Sequence, residues 1–94
     1  MEWKSNAKFS QPLEEGSIFT LKSAPVQVHR IHGVDGTWFL TCRDLGISHV
    51  NLNTNDFREA VAAAQTIIRR AIDNLIKTYD PFTEDKTDPQ IVRY

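Results

Sequence analysis

Residues 56–77 read DFREAVAAAQTIIRRAIDNLIK, and the period of their apolar side chains decides the fold. Phe57, Val61, Ala64, Ile68, Ala71 and Leu75 recur every three or four positions, and Ala60, Ile67, Ile72 and Ile76 widen the stripe. That spacing is one buried face of an amphipathic helix. Asp56 is placed to cap it, and Glu59 is placed to reach back to the Asp56 N–H, as in a capping box. Both acids sit at the positive end of the helix dipole. No Gly or Pro interrupts the run, and its alanines favour helix. The helix is expected to end near Tyr79, because Pro81 disfavours helical backbone at Asp80.

Everything before this helix reads as strands that need something to pack on. Ser17 to Lys22 alternates and is rich in β formers, and Ser23-Ala24-Pro25 breaks it. Pro25 to His32 is a second strand, and Val34-Asp35-Gly36 supplies the turn residues of a hairpin. Thr37 to Leu45 is the third strand, Gly46 permits a sharp corner, and Ser48 to Leu52 is a short fourth. The expectation is an α+β fold: an antiparallel sheet of three to four strands packed on one long C-terminal helix, in the order β-β-β-β-α. The 94 residues make a single domain, with residues 1–15 an N-terminal arm, 16–79 the core and 80–94 a tail. The expected core is Phe19, Leu21, Ile31, Leu40, Val50, Leu52, Phe57, Val61, Ala64, Ile68, Ala71 and Leu75, with Trp38 mostly buried.

The hairpin turn admits two registers. A two-residue Asp35-Gly36 loop puts Ile31, Trp38, Leu40 and Cys42 on one face and Val28, Arg30, His32, Phe39, Thr41 and Arg43 on the other. A three-residue Val34-Asp35-Gly36 loop with a bulge puts Val28, Arg30 and His32 beside Trp38, Leu40 and Cys42. The first is favoured, because it keeps Arg30 and His32 off the helix-packed face.

Composition narrows the function classes. A net charge of −1 gives no global field that draws the chain to nucleic acid or a membrane. The single cysteine, Cys42, excludes an internal disulfide and fits a reducing compartment. MEWKSNAKFS lacks the apolar centre of a signal peptide, and no apolar run approaches a membrane span, so the expected location is cytoplasmic. His29 and His32 point to opposite faces of a regular strand and cannot share a metal. One cysteine and scattered histidines fall short of a zinc pattern. Cys42 amid Trp38 and Leu40 reads as core rather than nucleophile, and no paired acids are seen for acid/base work. No phosphate loop or dinucleotide fingerprint appears. The chain is therefore expected not to be an enzyme and to carry no metal or cofactor.

The candidate surface is the outer sheet face with Arg30, His32, Phe39, Thr41 and Arg43. Basic groups interleaved with an aromatic suit stacking and phosphate contact. Trp3 either pins the N-terminus on the core edge or anchors a partner. A protein partner is preferred over nucleic acid, and a sheet edge or the C-terminal tail offers a contact for a homodimer.

Val26 to Lys77 is similar in layout to the small domain of HicB-like antitoxins. GVDGTWFLTCRDLGI followed by NTNDFREAVAAAQTIIRRAI carries the likeness, chiefly through Asp44-Leu45 and Glu59-Ala60. Arg43 and Gly46-Ile47 stand where that family has its proline and Pro-Gly. The resemblance implies a partial ribonuclease-H-like fold that binds a protein rather than catalysing a reaction. Double-stranded-RNA-binding-like and integrase-arm-like modules share the same shape. The leading expectation is a small non-enzymatic, regulatory protein-binding module, antitoxin-like or inhibitor-like. The alternative is a nucleic-acid-binding module that uses the outer face of the sheet.

Overall fold

The computed structural model describes residues 1–31 and 36–93. Five short strands, β1 (Trp3–Ser5), β2 (Ile18–Leu21), β3 (Gln27–His29), β4 (Phe39–Cys42) and β5 (Ile47–Asn51), precede one helix, α1 (Phe57–Glu84). The strands form one antiparallel sheet in the order β1-β2-β3-β4-β5, each paired with its neighbour in the chain. The α+β class is as expected, with five strands instead of three to four.

The additional strand comes from the N-terminal arm. The Asn6 carboxamide oxygen accepts the N–H groups of Ser17 and Ile18 at 2.8 and 2.9 Å, and the Asn6 N–H donates to the Ile18 carbonyl at 3.0 Å. These bonds fold the arm back so that Trp3 lies opposite Leu21. Gly16 is buried where the arm crosses, and a Cβ there would run into the Ser5 hydroxyl.

The favoured hairpin register is overturned. Val28 pairs with Leu40 and His29 with Phe39, so Val28 shares the helix-packed face with Trp38, Leu40 and Cys42. The physical reason is the burial of Val28: it is fully enclosed, as is Leu40, which outweighs the cost of bringing Arg30 to that side. Residues 32–35, with His32 and the expected Val34-Asp35 turn positions among them, lie outside the described residues.

After β4 the chain makes a 3₁₀ turn over Arg43–Leu45, closed by Gly46 at φ +70°, a left-handed conformation that costs glycine little. A bulge follows. Leu40 faces Val50 and Cys42 faces Ile47, which leaves Ser48 and His49 both opposite Thr41. His49 takes φ +52° there, and Thr41 Oγ1 accepts its N–H at 3.1 Å.

The N-terminus of α1 uses both acids. Asp56 Oδ2 accepts the Glu59 N–H at 3.1 Å. Glu59 does not return to the Asp56 N–H; it accepts the Thr54 hydroxyl at 2.8 Å, while Thr54 Oγ1 accepts the Asp56 N–H at 3.1 Å. Thr54 thus stands between the two ends of the expected box. The helix runs past Tyr79 and Pro81 to Glu84. Proline removes its own N–H and its ring crowds the carbonyl four residues back, yet the helical backbone continues for three residues beyond it, and the Thr83 hydroxyl donates to the Asp80 carbonyl at 3.1 Å.

The core between sheet and helix holds Phe19, Val26, Val28, Trp38, Leu40, Cys42, Ile47, Leu52, Ala60 and Ala64. Trp38 is 2 % exposed, and its indole N–H donates to the Asn55 carbonyl at 3.0 Å, tying β4 to the helix entrance. Phe57 meets Trp3, Phe19 and Trp38 at ring separations of 5.8, 4.6 and 5.3 Å. The expected core residues Leu21, Ile31, Phe57, Val61, Ile68 and Ala71 are half-buried, whereas Val50 and Leu75 are exposed. Residues 85–93 form no strand. Among the described residues, no helix is long and apolar enough to cross a membrane.

Candidate functional site

Two surfaces compete for the role of site. The outer face of the sheet carries a small polar cluster. His29 Nε2 lies 2.8 Å from Thr41 Oγ1, the oxygen that also accepts the His49 N–H. The His49 ring meets the His29 ring edge-on at 5.2 Å, and its Nδ1 lies 2.8 Å from the Ser48 hydroxyl. His29 stacks near Phe39, and both are buried. Burial pushes His29 below its ordinary 6.5, a hydrogen bond to the Arg30 backbone works against this, and repulsion from His49 adds to it. The neutral ring then has an acceptor nitrogen for the Thr41 hydroxyl. This cluster looks structural: every member is engaged with another.

The predicted binding residues are not assembled on that face. Phe39 and Thr41 belong to it. Arg43 stands in the corner turn and lines, with Thr41, Thr20, Gln27 and Asp44, a recess of about 400 Å³. Arg30 is on the opposite side, its guanidinium 4.5 Å from the centre of the Trp38 ring, a cation–π contact at the rim of the core. Trp3 also lies on the helix side, half-buried against Phe57. His32 lies outside the described residues. The interleaved basic and aromatic surface therefore does not exist as a unit, because the register carries Arg30 across the sheet. Cys42 is buried and free in the core. Among the described residues no group of three or more His, Cys, Asp or Glu side chains is placed to hold a metal ion.

The second surface is on α1. At ~1.5 Å per residue its 28 residues span about 42 Å, twice the ~20 Å that five strands span side by side. The molecule measures 61 × 24 × 22 Å. Ala60 and Ala64 are buried, and Ile67, Ile68 and Ala71 pack on the core. Beyond them Ile72, Leu75, Ile76, Tyr79 and Phe82 are 40, 41, 51, 57 and 82 % exposed. These residues prolong the buried stripe into solvent, while Asp73, Asn74, Lys77 and Asp80 occupy the other side. Beside the packed half of the helix runs a groove of about 880 Å³ between α1 and the β1–β2 edge. Met1, Trp3, Leu21, Val61, Ile68 and Ile72 supply its apolar walls, and Arg69 and Arg70 stand at its margin.

Sequence reading placed Leu75 in the core and so missed this surface. The signal was available in the expected dimensions: three to four strands side by side span only about 15 Å, less than half the ~33 Å of the 22-residue periodic run. No protein-family model, curated protein or solved structure matches the chain.

Proposed function

We propose that the chain is a small non-enzymatic module that binds protein through the exposed apolar face of α1. One observation carries this reading: the helix runs past its sheet with five large apolar residues, from Ile72 to Phe82, turned to solvent. A contiguous patch of this kind, rimmed by charges, marks an interaction surface, and an amphipathic helix reads a partner through its i, i+3, i+4 and i+7 positions. A regulatory role, antitoxin-like or inhibitor-like, is the form of this function that the resemblance over residues 26–77 implies.

The test is affinity capture from the host lysate, with and without nuclease, using the wild-type chain and Leu75→Glu. Leu75 lies beyond the sheet, so the variant keeps its fold by circular dichroism. A single protein recovered in stoichiometric amount, resistant to nuclease and lost with Leu75→Glu, is the expected result. Recovery dominated by nucleic acid and abolished by nuclease overturns the reading.

A further inference from the structure

We infer that the occupant of this face is a second copy of the chain, its α1 lying antiparallel in the groove beside the first. The inference rests on the helix face being a protein-binding surface and names the partner. Ile68, Ile72, Leu75, Tyr79 and Phe82 follow one another at spacings of four, three, four and three. That is the 3.5-residue period by which one helix keeps a seam against another. A sheet would not require it.

Charge fixes the direction. Arg69 and Arg70 lie at the start of the seam, and Asp80, Glu84 and Asp85 at its end. Thr87 donates two hydrogen bonds to Asp85 and holds its carboxyl below the ordinary carboxylate range. The one ion pair among the described residues is Lys22–Glu2, so neither end of the seam is neutralised within the chain. In an antiparallel pair centred between Asp73 and Asn74, Ile68 of one copy meets Tyr79 of the other and Ile72 meets Leu75. Arg69 then stands level with Thr78 of the second copy, about 3 Å along the axis from Asp80 on the same flank of the seam, and the two-fold axis makes this contact twice. A parallel pair puts residues 66–72 at the level of Arg69, and none of them is acidic.

Shape agrees with charge. Phe82 of the second copy falls at the level of Gln65, one of the residues lining the groove. It lies on the sheet side of the seam, toward Trp3 and Leu21. The projecting half of each helix thus fills the groove beside the packed half of the other.

The experiment is sedimentation equilibrium of the full chain from about 5 to about 500 µM. The wild type is expected to be a monomer–dimer system, and Leu75→Glu with Tyr79→Glu a monomer throughout. Arg69→Glu alone should weaken the dimer about tenfold, as should Asp80→Lys, since each reverses two symmetry-related pairs. Mixing the two variants should restore wild-type affinity in a heterodimer. A wild type that stays monomeric, with the groove empty or filled by its own residues 85–93, overturns the inference. So does a dimer that Leu75→Glu with Tyr79→Glu leaves intact, or one that Arg69→Glu does not weaken. A monomeric wild type that still captures another protein through Leu75 removes self-pairing and leaves the protein-binding reading standing.

Discussion

His29 is a buried imidazole in a chain whose other described histidine, His49, is exposed, and its neutral form suits its surroundings. Burial lowers its pKa from 6.5. The unfolded chain therefore takes up a proton before the folded one does as pH falls. The stability that His29 contributes is full above the unfolded pKa and is lost as pH falls through the folded value. The melting temperature should accordingly drop between about pH 7 and about pH 5, and His29→Gln should flatten that slope while keeping an acceptor for the Thr41 hydroxyl. A slope unchanged in the variant would place the effect elsewhere. Arg30 teaches the converse lesson. Its charge argues for the open face, yet a guanidinium can sit over a buried indole and keep its outer edge in water. Charge alone therefore did not reveal which side of β3 faces the helix.

At the scale of the elements, α1 begins where its cap and period say it should. Replacing Asp56 with Ala removes the bond to the Glu59 N–H and should cost ~1 kcal/mol in denaturant unfolding, with the slope m unchanged. A cost below about 0.3 kcal/mol would mean that Thr54 and Glu59 sustain the turn without it. The helix start, the Gly46 corner and the three central strands were legible because each combines a propensity with a breaker. β1 was not. Trp3–Ser5 is too short to show alternation, and what makes it a strand is the Asn6 side chain bonding residues eleven and twelve positions away. The end of α1 was misplaced for a different reason: a proline restricts one junction, whereas helix continuation depends on the bonds that remain on either side. The exposed seam was hidden by its own regularity, since the residues that pack on the sheet and those that leave it share one stripe.

The whole molecule is a small body with a helical extension, and the two parts should differ in local stability. Amides of residues 60–71 back onto the core, whereas those of 72–84 belong to a stretch of helix that nothing among the described residues covers. In dilute solution, hydrogen exchange should be slow in the first segment and fast in the second. Raising the concentration into the range of self-pairing should slow the second segment selectively. Uniform protection of α1 at every concentration would show that its distal half needs no partner. The sheet has a separate consequence, which lies in time rather than in strength. Each strand pairs only with its chain neighbour, so no ladder must wait for a distant segment to arrive, and the loop-closure cost is met in small steps. Such a local wiring places the sheet among fast-folding topologies. Trp38, sealed under the helix entrance, would then be shielded only in a later step, when α1 docks on a sheet already formed.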